Sequence, residues 1–332
     1  MKILFIFEFA FPPYRSFLIR EISRLASKLS VVSGDDRFGL ANPFGVAVLP
    51  RLFAYGDNIL YFLSPLRIIR SDVIFTTFNL RRPHTWLYVL LFPYKKWIFW
   101  GQGFWSAEGF FARLFRVALL RMSSGYIVYT PEGRSNLIRF GYPSSKISVA
   151  YNTIDVPNAS LTFGSDYFLY VGRLQERKRL DIAIRALKGT HSNLRIVGDG
   201  PVLSSLRELV HELDLESQVE FFPGTFDDFV LKSYFSNAIA YVSPGHVGLG
   251  VVHAFAYGVP VITISSFKHA PEFSYCSVSN SYLCNDAARF TGLLHAFEAQ
   301  GSEHLLKRRE AFQFFDSNLR VERMLSCFTG YL

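Results

Sequence analysis

Cysteine is scarce in this 332-residue sequence, and the three present, Cys276, Cys284 and Cys327, stand at no metal-ligand spacing. So sparse and odd a set argues against a disulfide-stapled scaffold or a zinc framework, and it suits a reduced, cytoplasmic chain. Long apolar runs are also missing. None approaches the ~18–20 residues of a membrane span, and the longest candidate, Trp86 to Phe92, stops at Pro93 and Lys95-Lys96. The N-terminal run Ile3-Leu4-Phe5-Ile6-Phe7 is interrupted by Glu8. Its length is that of a buried strand, not of an export core with a small-residue cleavage site. Charged residues make up only 19% of the chain against 50% hydrophobic, which excludes a disordered protein.

Acidic residues are scarce in one half only. Residues 1–150 hold 19 Lys and Arg against 8 Asp and Glu, whereas residues 151–332 hold 16 against 19. The whole excess of positive charge, +8 overall, therefore comes from the first half. Such a surplus suits an anionic partner much larger than a nucleotide, either nucleic acid or an acidic membrane surface. The absence of helix-turn-helix spacing, zinc motifs and ribonucleoprotein signatures favours the membrane surface. A solvated basic face without a partner is the alternative.

What the sequence has in quantity is length and aromatic side chains, 34 Phe and 17 Tyr. The length is right for two cores of about 100–200 residues each. Strands alternate with helices from end to end: strands at Ile3–Phe7, Val31–Ser33, Val73–Thr77, Lys96–Trp100, Gly125–Tyr129 and Ile147–Val149, with helices over Phe17–Ser30, Ala107–Met122 and Glu132–Phe140. Around Tyr151–Thr162 the apolar runs lapse into a turn-rich stretch, read as a linker. The alternation restarts at Tyr167–Val171 and runs to Pro260–Ile264, and Glu303–Phe328 is helical with breaks. A βαβα order predicts parallel sheets covered by helices on both faces, here as two doubly wound, Rossmann-like domains facing a central cleft. The expected division is 1–157, 158–315 and a C-terminal helix over 316–332 that returns to the first domain. Open parallel sheets bind ligands beyond the carboxyl ends of their strands, so functional residues should lie in the loops that follow strands.

Two such loops carry the strongest chemistry. In Tyr170-Val-Gly-Arg-Leu-Gln-Glu-Arg-Lys178, Gly172 lets the backbone turn and approach a ligand. Arg173 and Lys178 then sit on the loop and at the helix start, where cations are unfavourable unless an anion lies beside them. A guanidinium fork with an ammonium point charge suits a diphosphate, and a solvated basic turn is the plainer reading. The second loop, Ser243-Pro-Gly-His-Val-Gly-Leu-Gly250, brings Gly245, Gly248 and Gly250 between a strand and a short helix bearing His253. Its N–H groups could face a phosphate. Two further turns, Gly198-Asp-Gly-Pro201 and Pro223-Gly224, follow strands and could line the pocket through backbone groups.

Together these four features resemble the retaining GT-B glycosyltransferases of the large family-4 type, the group that holds many bacterial hexosyltransferases. The resemblance runs through most of the C-terminal half and reaches back to Thr130-Pro-Glu and Asn152-Thr-Ile-Asp155. It implies that Arg173 and Lys178 grip the donor diphosphate, and that Gly172, Gly198, Gly200, Gly224, Gly248 and Leu249 line the nucleotide-sugar site. The family's Glu-x7-Glu element falls on Gly245 and His253, so neither carboxylate is retained; a neutral imidazole could still hold a ribose hydroxyl. Gln102, in Trp100-Gly-Gln-Gly103, stands where the family often has a histidine near the reacting sugar, and it can hold a hydroxyl without titrating. Glu272 either hydrogen-bonds the donor or His253, or is a surface carboxylate. The family's N-terminal glycine-rich loop is replaced by Phe11-Pro-Pro-Tyr-Arg-Ser.

The resemblance further implies transfer of a hexose from a nucleotide-diphosphate sugar to a saccharide acceptor with retention, with no bound metal and no other cofactor. The acceptor would be lipid-linked (on a polyprenyl diphosphate, for instance) in lipopolysaccharide O-antigen or capsule synthesis. A nucleotide-sugar epimerase and a non-catalytic nucleotide-sugar-binding protein are the competing readings. The basic, aromatic stretch Phe110–Arg121, after Trp97–Trp105, predicts a peripheral position on the inner face of the plasma membrane. Packing of the same apolar residues against the first sheet is the other expectation.

Overall fold

The structure, a computed structural model, describes residues 1–35, 44–103, 109–297, 299 and 301–332. Trp105 and the start of the predicted helix at Ala107 lie outside the described residues. The chain forms two compact units, Met1–Tyr151 with Val321–Leu332, and Asn152–Arg320. Both are parallel α/β layers, the class that the strand–helix alternation predicts.

In the first unit, β1 (Lys2–Ala10), α1 (Ser16–Leu25), β2 (Lys28–Asp35) and β3 (Ala47–Val48) lead to an antiparallel hairpin, β4 (Arg51–Tyr55) and β5 (Asn58–Tyr61). Then come α2 (Pro65–Ile69), β6 (Val73–Thr77), α3 (Pro83–Leu91), β7 (Lys96–Gly101), α4 (Phe110–Arg121), β8 (Gly125–Val128), α5 (Pro131–Arg139) and β9 (Ile147–Val149). The seven-stranded sheet runs β3-β2-β1-β6-β7-β8-β9, so the winding reverses between β1 and β6. Buried strands read as continuous apolar runs because helices cover both faces. On one face Leu4, Ile6, Ile74, Trp97 and Phe99 pack with Val89, Leu119 and Leu120 of the helices. On the other, Phe5, Phe75 and Trp100 pack with α1 and with Met324 and Phe328.

In the second unit the strands are β10 (Tyr167–Val171), β11 (Leu194–Val197), β12 (Val219–Phe222), β13 (Ala238–Val242), β14 (Val261–Ile264) and β15 (Ser281–Cys284). The helices are α6 (Leu180–Ala186), α7 (Leu203–Glu212), α8 (Asp228–Asn237), α9 (Gly250–Ala256), α10 (Ala287–His295) and α11 (Ser302–Phe314). The sheet order is β12-β11-β10-β13-β14-β15, with the reversal between β10 and β13. Asp227 caps α8 through the N–H groups of Phe229 and Val230, and Asp286 caps α10 through that of Arg289.

Three boundaries differ from the sequence reading. The helix expected over Phe17–Ser30 ends at Leu25, because Lys28–Ser30 already pair with Lys2–Leu4 as the start of β2. The stretch expected as a linker belongs to the second unit. Asn152 and Thr153 are buried there, Thr153 donating to the Leu319 carbonyl, while Ser160 and Thr162 donate backbone N–H bonds to the Ala256 and Tyr257 carbonyls. The first break therefore falls after Tyr151, not after residue 157, and the second after Arg320, not after residue 315. From there α12 (Val321–Thr329) packs on α1 in the first unit.

Candidate donor site in the second unit

A doubly wound sheet opens a crevice where its strand order reverses, because the connections leaving the two central strands run to opposite faces. In the second unit that point lies beyond β10 and β13. The loops leaving these strands are 172–179 and 243–249, the two that carry Arg173, Lys178 and the glycines.

The loops interlock through backbone. Leu174 N–H donates to the Asp199 carbonyl at 2.9 Å, and Gly224 N–H to the Asp199 carboxylate at 2.8 Å. The N–H groups of Gly245 and His246 donate to the carbonyls of Lys178 and Arg177 at 3.0 and 2.8 Å. The glycines permit this approach. A Cβ on Gly198, whose φ is +153°, would lie 2.0 Å from the Gly172 oxygen, and one on Gly245 would lie 2.2 Å from the Arg177 oxygen. Beneath them Tyr170 and Tyr241 stack at 5.9 Å, their hydroxyls donating to the carbonyls of Arg173 and Val171.

Past the interlocked pair, the backbone N–H groups of Gly248, Leu249 and Gly250 make no hydrogen bond among the described residues. Lys178 stands beside them. Its Nζ donates to the His246 carbonyl at 2.7 Å and lies 3.6 Å from where a Gly248 Cβ would be. Burial holds the ammonium down at about 8, with the Arg177 charge adding to the shift and Glu272 opposing it. Three N–H dipoles without a partner among the described residues, the first of them close to a partly dehydrated ammonium, suit an anion. The Arg173 side chain is exposed on the same loop.

The other site residues are more scattered. Glu272 is buried, not a surface carboxylate; it accepts from Asn152 Nδ2, and its field reaches Lys178. The His253 ring stacks on Phe235 of α8 at 5.8 Å, and burial lowers it to about 4, so it is neutral. Gln102 is exposed on the first unit just past β7, between Gly101 (φ +144°) and Gly103 (φ +87°). Among the described residues no three His, Cys, Asp or Glu side chains converge as metal ligands.

Two further titratable groups are marked by no sequence motif. His269 props the glycine loop: its Nδ1 accepts from Val247 N–H at 3.1 Å and its Nε2 donates to the Ile264 carbonyl at 3.0 Å. That pairing fixes the neutral tautomer, and burial, with help from the Lys178 charge, lowers its affinity for a proton. In the first unit Glu8 lies near the end of β1, beside the reversal point of that sheet. It is buried, accepts from Thr77 Oγ1 and Asn79 N–H, and burial raises it to about 7 despite those bonds and Arg82. The only sequence signal for it is a carboxylate inside an apolar strand.

Against known proteins, the part of the chain that carries the cradle is the part that matches. Residues 158–274 match the family described as Glycosyl transferases group 1. The matched segment contains the loops 172–179, 198–201, 223–224 and 243–249 that surround the candidate crevice. An "Uncharacterized glycosyltransferase" of Haemophilus influenzae is 30% identical over 128 residues, 36% of this chain and 35% of that protein. The "Putative colanic acid biosynthesis glycosyltransferase WcaL" of Escherichia coli is 28% identical over 189 residues, 51% of this chain and 46% of that protein. The matches thus span between a third and a half of the length of these curated relatives. Among solved structures, Anabaena HepE in complex with UDP superposes with a TM-score of 0.74 at 16% identity over 99% of each chain. The lipopolysaccharide outer core galactosyltransferase WaaB, in its apo form, gives 0.69 at 17% over 100% of this chain and 99% of that one. These likenesses show the GT-B fold, two parallel-sheet α/β domains.

Proposed function

We propose that this chain is a glycosyltransferase whose second unit binds a nucleotide-diphosphate sugar. The observation that carries the reading is the cradle of Gly248, Leu249 and Gly250 N–H groups beside Lys178, lying within the segment that matches the group 1 family. Lys178 and those dipoles meet the diphosphate, and exposed Arg173 closes on it as a fork. As the bond from the sugar to the phosphate breaks, negative charge grows on the leaving diphosphate. Groups already oriented towards it stabilise that charge without reorganising.

The finer reading is a retaining hexosyltransferase with a UDP-sugar donor. UDP is the nucleotide in the Anabaena HepE complex, and retention follows the resemblance of the motifs. The leaving phosphate then takes the acceptor's proton on the face from which it departs, so no protein nucleophile is required. The acceptor is a saccharide, lipid-linked, in cell-surface polysaccharide synthesis, the setting named for WcaL and WaaB. No bound metal enters this reading. One observation favours a second reading, a nucleotide-sugar-binding protein without turnover: a neutral, stacked His253 replaces the carboxylate of the family pattern.

The test is thermal-shift titration of UDP, GDP, dTDP and CMP against wild type and Arg173→Ala, followed by turnover of the matching donor sugars with membrane extract. A charge-assisted contact of about 1.5–3 kcal/mol makes the variant bind roughly ten- to a hundredfold more weakly. One diphosphate should shift wild type, and strongly so. No shift with any nucleotide in folded protein would overturn the donor site. A shift without turnover would favour the binding protein.

A further inference from the structure

A surface helix in water ordinarily turns polar residues outward. Two helices of the first unit do the reverse. In α3 the solvent-facing stripe is Leu87, Leu90 and Leu91, continued by Tyr94, and Leu91 is 65% exposed. In α4 it is Phe110, Phe111, Leu114 and Phe115, with Phe110 at 74% and Phe111 at 82%, while Val117, Leu119 and Leu120 fill the core side. The two helices touch through Trp86 and Phe115, whose rings meet edge-on at 5.6 Å. On the other flank α3 packs on β5, and the paired strand β4 presents Leu52, Phe53 and Tyr55 to solvent. Hairpin, α3 and α4 are thus neighbouring elements that each expose apolar groups.

The opposite face of the same sheet is ordinary. There α1 exposes Arg20, Ser23 and Arg24 with a single large apolar residue, Leu25, and α12 exposes Glu322, Arg323 and Ser326. An apolar surplus concentrated on one side marks an interaction surface.

Charge identifies what covers it. The described residues 44–103 and 109–122, which build this side, hold ten Lys and Arg against two Asp; with Arg82 and Arg116 buried, eight of the cations remain against two Asp. A second copy of the chain would bring the same positive charge against it. A groove of about 300 Å³ on α4 joins both chemistries: Phe110, Leu114, Val117 and Phe140 line it, with Arg113 and Arg121 at its sides. The Arg113 guanidinium lies over the Phe140 ring at 5.4 Å, and Arg121 donates to the Gly141 carbonyl at 3.1 Å. Apolar walls with two guanidinium groups suit an acyl chain below a phosphate.

We propose that the face formed by β4–β5, α3 and α4 docks on an anionic lipid bilayer, with the α4 groove seating one lipid's phosphate and upper acyl chain. The exposed Phe and Leu side chains enter the interface, and the basic groups hold the headgroups. Among the described residues no helix is long and apolar enough to cross a membrane, so this contact lies on the surface. The proposal rests on the first unit alone and is independent of the donor reading.

The experiment is co-sedimentation of the full chain with vesicles of phosphatidylcholine, and of phosphatidylcholine with about one third phosphatidylglycerol. Wild type should partition at least tenfold more strongly onto the anionic vesicles. Phe110→Ser/Phe111→Ser/Leu114→Ser should lose at least tenfold of that binding while keeping its melting temperature and its far-ultraviolet circular dichroism. Leu87→Ser/Leu91→Ser, on the neighbouring helix, should weaken binding in the same direction. Equal binding to neutral vesicles would overturn the proposal, as would full retention by both variants. A dimer of wild type that the triple variant dissolves would assign the face to a second copy instead.

Discussion

An ammonium group that loses hydration without gaining a carboxylate contact gives up its proton more readily, and Lys178 is in that position at about 8. A diphosphate in the cradle restores the favourable partner and raises the group again. The sign for binding follows: affinity is complete below pH 8 and falls above it, because the free protein must then take up a proton to bind. Between pH 7 and pH 9 the dissociation constant for UDP should rise about tenfold, read by isothermal titration. Lys178→Gln should bind weakly at both values with no slope of this origin. The stability of the unliganded fold has the opposite sign. Its proton affinity here is lowered from 10.5, so it gains stability as pH rises from about 8 towards 10.5. The position of Arg173 and Lys178 on a loop leaving a strand was legible in the sequence, because the apolar run Tyr167–Val171 stops just before them. His269 was not, since its part is to hold another loop's N–H, and sequence spacing carries no record of contacts made across 22 residues.

At the scale of elements, the crevice is three loops locked together by backbone, and the glycines are its joints. Gly198→Ala places a methyl group 2.0 Å from the Gly172 oxygen at a φ of +153°. Backbone against backbone leaves nothing soft to yield. The loops must separate, costing about 1–3 kcal/mol of strain, and UDP affinity should fall at least tenfold while the far-ultraviolet circular dichroism stays that of wild type. An unchanged affinity would mean that the loops bind nothing. The strand ends carrying these loops were readable, because buried parallel strands are unbroken apolar runs between turn residues. The hairpin β4–β5, β15 and α10 were not. In β4 every residue is exposed, so no alternation marks it, and the four residues of Ser281–Cys284 pair only along the sheet edge.

At the scale of the whole molecule, the chain crosses from first unit to second and returns. The return is not a loose tail: Phe328 is buried against Phe5, Phe75 and Trp100, and Met324 accepts a contact from Arg15 at 2.8 Å. Phe328→Ala should therefore cost about 3–5 kcal/mol, all of it in the first unit. In calorimetry one transition should move down while a transition responsive to UDP stays in place. A single transition displaced as a whole would mean that the two units unfold together. The two-unit plan was legible from the restart of alternation at Tyr167, yet the exact breaks were not. A polar, turn-rich stretch such as 152–162 looks like a linker until Asn152 and Thr153 are seen buried in side-chain hydrogen bonds of the second unit.

The position of α12 also sets an order of events during synthesis. Ribosomes deliver Met1–Tyr151 first, but the twelve residues that finish their core arrive only after all of Asn152–Arg320 has been made. Until those residues emerge, the first unit must wait with Phe5, Phe75 and Trp100 incompletely covered. During that interval its apolar surface is larger than in the finished protein, and holdase chaperones have their best opportunity to bind there.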